Sequence, residues 1–171
     1  MSYNLNNGDR SIVYKTNWDV AFSYLSKNDS FRVVAVNEDA QNKIIIKNMN
    51  DQSDLNLIGL ENMNINRVAF SDDEKIIRIS AGSPNSPGDI YTYNLSTNKL
   101  NKITTNLNSS VNPDDLVNAE VIRYESFDGL EIPAILYKPH SAKKGNKVPA
   151  LVWVHGGPGG QSKVGYRALI Q

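Results

Sequence analysis

The residues best placed to do chemistry are His155-Gly156-Gly157-Pro158-Gly159-Gly160, which follow directly on the continuous apolar run Pro149-Ala150-Leu151-Val152-Trp153-Val154. Such a loop can bring a backbone N–H within about 3 Å of a carbonyl oxygen that is gaining negative charge, and losing one such donor raises the barrier by about 2.7–4 kcal/mol. Glycine permits that close approach and positive φ. Pro158 has no N–H to offer and stiffens the turn. Two phosphate-binding readings fit less well. A Walker loop ends in Gly-Lys-Ser/Thr, whereas here the order is Ser162-Lys163. A dinucleotide fingerprint starts at Gly157 and Gly159 but meets Ser162 where its third glycine belongs. The oxyanion reading is preferred, and a purely structural strand-to-helix turn stays open beside it.

A glycine loop in this place belongs to the α/β-hydrolase arrangement, where the chemistry also needs a serine in a Gly-x-Ser-x-Gly elbow, then an acid, then a histidine. No Gly-x-Ser-x-Gly occurs in the sequence, so no catalytic triad is assigned. His155 precedes the place where that serine would fall, which makes it a brace for the loop and not the general base. His140, after Pro139 in a lysine-rich stretch, is expected to be exposed. Ser162 is expected to cap a helix, Asp128 to sit in a hairpin turn, and Lys143, Lys144 and Lys147 to form a solvated loop. No metal-binding or cofactor-binding residues are assigned.

The elements that position the loop can be read outward from it. The unbroken apolar run predicts a strand at 151–154 buried on both faces, as in an α/β sheet. From Gln161 onward, Ser162 as cap and Val164, Ala168 and Leu169 on one face predict a helix. Upstream, 119–126 and 130–137 flank Phe127-Asp128-Gly129 and predict an antiparallel hairpin. Before that, 108–115 is polar, carries Pro113 and reads as a linker.

The first two thirds of the chain is a series of short β-type runs separated by polar turns. Strands are expected at 19–26, 31–36, 43–47 and 54–58, then at 65–71, 75–81, 89–94 and 99–104. The two sets are alike. Phe22-Ser23-Tyr24-Leu25-Ser26 matches Arg67-Val68-Ala69-Phe70-Ser71 at a spacing of 45, and Ile44 to Met49 matches Ile90 to Leu95 at a spacing of 46. A four-stranded unit repeating every 40–50 residues is the signature of a propeller blade. About two blades fit, with residues 11–15 as the last strand of a third. Two unrelated meanders are the alternative.

Composition sets outer bounds. The chain has 171 residues, 40% hydrophobic and 21% charged, and reads as globular. Eighteen basic residues balance eighteen acidic ones, so charge gives no reason to expect nucleic acid or an anionic membrane as partner. Without cysteine, disulfides and thiolate metal sites are excluded. No run approaches the roughly 18 apolar residues of a membrane span. Residues 1–10 carry no signal-peptide core, which leaves a cytoplasmic location as the default expectation.

Taken together, Pro149 to Ser162, Ser126-Phe127-Asp128-Gly129-Leu130-Glu131-Ile132-Pro133-Ala134 and Leu136-Tyr137-Lys138-Pro139 resemble the start of the catalytic domain in the prolyl oligopeptidase family of serine peptidases. The acylaminoacyl-peptidase and dipeptidyl-peptidase branches are the most similar in wording. Trp18-Asp19-Val20 and Val34-Ala35-Val36-Asn37-Glu38-Asp39 also resemble its propeller segments. The resemblance implies a mainly β chain: a partial β-propeller at 1–112, a linker at 113–118, and at 119–171 the first strands and first helix of an α/β-hydrolase domain. It implies that Gly157 supplies the oxyanion-hole N–H, within a loop of His155, Gly156, Pro158 and Gly159. It also implies a short peptide as substrate of the parent enzyme, no cofactor and no metal. The nucleophile, acid and base would lie past Gln171, so this chain alone is expected to be inactive. The rival readings are a piece of another α/β-hydrolase, such as a proline iminopeptidase or esterase, and a non-catalytic propeller binding module.

Overall fold

Alternating side chains and polar turns fold the chain into antiparallel hairpins, gathered in four separate sheets. The computed structural model describes residues 1–61 and 63–171. No α-helix is found among the described residues. At the N-terminus, β1 (Ser2–Tyr3) pairs with β2 (Arg10–Ser11). The first large sheet has the order β3 (Asp19–Leu25), β4 (Phe31–Glu38), β5 (Gln41–Asn48). The second has the order β6 (Asn64–Phe70), β7 (Ile76–Ser83), β8 (Ser86–Asn94), β9 (Lys99–Lys102). A separate hairpin joins β10 (Ala119–Glu125) to β11 (Glu131–Tyr137).

The sequence repeat is a structural repeat down to its irregularities. Asp19 faces Asn37 in the first sheet, and Asn64 faces Gly82 in the second, each partner displaced by 45 residues. A register shift lies between Val20 and Phe22 in β3 and between Ile65 and Arg67 in β6, again at the same spacing. The following turns also coincide. Ser26 N–H donates to the Phe31 carbonyl at 2.8 Å, as Ser71 N–H does to that of Ile76. Each serine hydroxyl accepts the N–H of the same residue, Phe31 or Ile76, at 2.9 and 3.1 Å. These are two copies of one blade-like unit, stacked face to face.

The core lies between the two sheets. Val33 and Ile46 of the first sheet meet Val68, Ile77, Ile79, Tyr91 and Tyr93 of the second, all of them buried. Phe31 and Phe70 stack with ring centroids 5.0 Å apart, and the Tyr24 hydroxyl donates to the Val68 carbonyl at 2.7 Å. A single twisted sheet of this size cannot cover both of its faces, so each unit needs its neighbour.

Several expected elements differ. Residues 54–58 form no strand, and only Asp54 bridges to Lys47. The chain leaves the sheet edge so that Leu57 and Leu60 can turn inward and join the core. Of the strand expected at 11–15 as the last of a third blade, only Ser11 is in a strand, β2, which pairs with β1. In the linker, Asn112 caps a single 3₁₀ turn, Pro113–Asp115, and Leu116 is buried beyond it. The expected hairpin forms as β10–β11, closed by Gly129 at φ +81, a conformation that suits glycine.

Two further expectations are corrected. The apolar run at 149–154 is extended but pairs with no strand among the described residues, and Leu151, Val152 and Val154 are 81–84% exposed. A strand buried on both faces needs neighbours on both sides and layers above and below, and nothing among the described residues supplies them. The helix expected from Gln161 is also not formed. Val164 donates its N–H to the Ala40 carbonyl at 2.9 Å, across the molecule and not along a helix. Only Val164 of the proposed apolar face is buried, while Leu169 is 78% exposed. Short helices are marginal unless tertiary packing supports them, and here the packing favours a bent path that ends in a single turn.

Candidate functional site

The glycine loop connects the exposed apolar run to the docked segment 161–171, so its two ends are held very differently. His155, Gly156, Gly157, Pro158, Gly159 and Gly160 are all exposed. The Gly157–Pro158 peptide bond is cis. No side chain would be crowded at Gly156, Gly157 or Gly159, where a Cβ would meet open space. Gly160 is different, because a Cβ there would run into the Gly156 carbonyl oxygen. Close approach therefore explains one glycine of the loop. None of its glycines adopts positive φ, so the conformational freedom expected of them is not what the loop uses here.

The Gly157 N–H makes no hydrogen bond among the described residues. His155 Nδ1 lies 2.9 Å from the Gly156 carbonyl oxygen, so an Nδ1–H tautomer would brace the loop one residue along. No carboxylate among the described residues bonds to its ring. Ser162 is half-buried and, with no helix to start, caps nothing.

The remaining residues singled out in the sequence fall away from the loop. His140 is exposed, with Nε2 3.3 Å from the Leu116 carbonyl. Asp128 accepts the Leu130 N–H at 3.2 Å across the β10–β11 turn. Hydrogen bonding to that N–H and to Ser126 holds its carboxyl below the usual aspartate range. Lys143, Lys144 and Lys147 are exposed.

Sequence reasoning missed the residues that hold the far end of the loop. Asn37 Nδ2 donates to Gln161 Oε1 at 2.8 Å, and Lys163 Nζ donates to Asn42 Oδ1 at 2.9 Å. Asn64 Nδ2 donates to the Val164 carbonyl at 3.1 Å, and the Tyr137 hydroxyl donates to that of Gly165. Gln171 Nε2 donates to the Pro84 and Val117 carbonyls at 2.7 and 2.8 Å. Many asparagines of this chain sit in turns, where the residue type alone accounts for them. Nothing in one-dimensional spacing separates a turn asparagine from one aimed at a segment about a hundred residues away.

Fold and site together define a class: paired blade-like antiparallel units that lead into a hairpin and an exposed glycine loop. In fold, the chain resembles a segment of prolyl oligopeptidase structures. It aligns with a structure from a study of two prolyl endopeptidases at a TM-score of 0.67 and 17% identity, covering 91% of this chain and 22% of the other. It aligns with prolyl oligopeptidase B from Galerina marginata, solved with a 35mer hydrolysis and macrocyclization substrate, at a TM-score of 0.58 and 20% identity over 75% of this chain. A puromycin-hydrolyzing peptidase from Mycobacterium tuberculosis matches at 0.53 and 11% identity over 67%. The chain spans about a fifth of the length of these structures. No family model and no curated protein matches it. No helix among the described residues is long and apolar enough to cross a membrane.

Proposed function

We propose that the chain is a piece of a serine-type peptidase of the prolyl oligopeptidase kind. On this reading residues 1–112 belong to a β-propeller, 113–118 form a linker, and 119–171 open an α/β-hydrolase domain. The observation that carries the proposal is the Gly157 N–H, exposed and without a partner, in a glycine loop behind two blade-like units. Gly157 is the oxyanion-hole donor, and its N–H would stabilise the tetrahedral intermediate formed on a peptide carbonyl. His155, Gly156, Pro158 and Gly159 shape the loop around it.

The chemistry that would use this donor lies with other residues. An oxyanion donor lowers no barrier until a nucleophile attacks, and no nucleophile elbow occurs in the sequence. The parent enzyme acts on short peptides, with nucleophile, acid and base outside the 171 residues. The blades ahead of the loop disfavour an iminopeptidase or esterase, which would usually begin near the loop. Incubation of the chain with activated acyl-peptide esters and a fluorophosphonate probe tests the proposal. No turnover and no serine adduct are expected. Stoichiometric covalent labelling of any serine would overturn the placement of the nucleophile outside the 171 residues.

A further inference from the structure

Residues 161–165 lie in a cleft that the two blades make together. The segment has no regular secondary structure, yet one residue is gripped by both of its backbone groups. Val164 N–H donates to the Ala40 carbonyl, its own carbonyl accepts from Asn64 Nδ2, and its side chain is 8% exposed. The segment bends at Val164 and Gly165, so these two hydrogen bonds, one to a turn carbonyl and one from a side-chain amide, fix a bend of the chain in the cleft. Ala40 offers its carbonyl from the two-residue turn Asp39-Ala40, with both residues at positive φ (50° and 62°). On one side Asn42 accepts the Lys163 ammonium, and Asn37 holds Gln161. The cleft is also larger than the segment in it. About 380 Å³ stays open beside Val164, lined by Asn66, Ser83, Ser86 and Arg167 among others. Asn37 Oδ1, at the other end, is buried with no hydrogen-bond donor.

We propose that this cleft is a docking site for a polypeptide segment in which a basic residue directly precedes a small aliphatic one, and that Lys163-Val164 of this chain occupies it in cis. Ala40 and Asn64 read the backbone, Asn42 reads the cation, and the walls bury the aliphatic side chain. Because the docked segment begins one residue after Gly160, the blades fix the exit of the glycine loop. Asn37, Asn42 and Asn64 are then positioning residues for that loop. Only this last step rests on the peptidase reading; the docking itself does not.

Amide hydrogen exchange on the full chain tests the docking without reference to activity. The Val164 amide is expected to exchange at least tenfold more slowly than an unstructured amide, at a rate independent of protein concentration. Asn64→Ala and Asn42→Ala should each speed it severalfold while the Ile79 and Tyr93 amides keep their rates. An acetylated peptide with the sequence of residues 161–171, added in millimolar excess to the wild-type chain, should also speed Val164 exchange, and its Val164→Asp version should not. That second arm needs no variant to fold. A Val164 amide exchanging at the unstructured rate overturns the proposal, as does indifference to both the substitutions and the peptide. Protection that rises with protein concentration would assign the occupant to a second copy of the chain and overturn docking in cis.

Discussion

The Glu74 carboxylate accepts the Asn28 backbone N–H at 2.6 Å, so the turn of the second blade holds the equivalent turn of the first. Glu74 stands at φ +53, and Asp29, its counterpart 45 residues earlier, stands at φ +58. Both turns bend in the same way, but only the glutamate is buried, at 7% exposure. Replacing it with alanine leaves the Asn28 N–H without its acceptor in a half-covered site, at a cost of about 1–3 kcal/mol. A lower urea midpoint with an unchanged slope is the expected result for Glu74→Ala. Glu74→Gln, which keeps an acceptor oxygen, should lose less.

Asp89 gives the second blade an acid-sensitive joint. Burial opposes its charge, but hydrogen bonds from Lys102 (2.7 Å), the Thr104 hydroxyl (2.8 Å) and the Asn106 N–H (2.9 Å) outweigh it and hold the carboxyl below the usual aspartate range. A carboxyl depressed by folding contributes its stability above the unfolded value of about 3.9 and loses it as pH falls through the lower folded value. The wild-type chain should therefore weaken on acidification below about pH 4, by a step that Asp89→Asn lacks. At neutral pH that variant should be less stable by about 1.5–3 kcal/mol, since hydrogen bonds to a charged acceptor are lost. Urea midpoints measured across the acid range would show both effects.

How far the sequence reaches depends on what covers each segment. Alternation and turn residues identified β3 to β8 and the β10–β11 hairpin within a few residues, because a half-buried antiparallel strand carries its own pattern. The repeat of 45 extends to a register shift shared by the two sheets, a feature of pairing that strand patterning does not show. The run Leu151-Val152-Trp153-Val154 was legible as something that wants burial, but burial is supplied by other segments, and none among the described residues covers it. Val164, Ala168 and Leu169 have helical spacing, yet the Ala40 carbonyl and Asn64 offer Val164 better partners than a lone helical turn would. Asn37, Asn42 and Asn64 are ordinary in the sequence and acquire their role only when β4, β5 and β6 come together. Gly157 as a donor follows from the family resemblance and stays a proposal; the absence of positive φ around it could not be read from the loop's composition.

Ala40 is an alanine where a two-residue hairpin turn favours glycine. Its φ of +62 places Cβ against the following carbonyl, a conformation costing about 1–2 kcal/mol for a non-glycine residue. Glycine relieves that cost and gives back part of it through the greater freedom of the unfolded chain. Ala40→Gly is expected to raise stability by up to about 1 kcal/mol, seen as a higher urea midpoint. The carbonyl that receives Val164 is retained, so Val164 exchange should not quicken. A destabilised variant would show that neighbouring contacts, such as the Arg123 pair with Asp39, already absorb the strain.

Gly160 separates the loop's own geometry from the fold's stability. A side chain there would strike the Gly156 carbonyl, so Gly160→Ala must shift the backbone between the two residues. That carbonyl also receives the His155 ring at 2.9 Å, and the disturbance should reach His155. The loop is exposed and buries nothing in the core between the blades. The unfolding midpoint should therefore move by no more than about 0.5 kcal/mol, as for surface changes generally. Backbone chemical shifts of residues 155–160 should change, and those of Ile79 and Tyr93 should stay put. Unchanged shifts at His155 and Gly156 would mean that the loop does not hold this closed turn in solution.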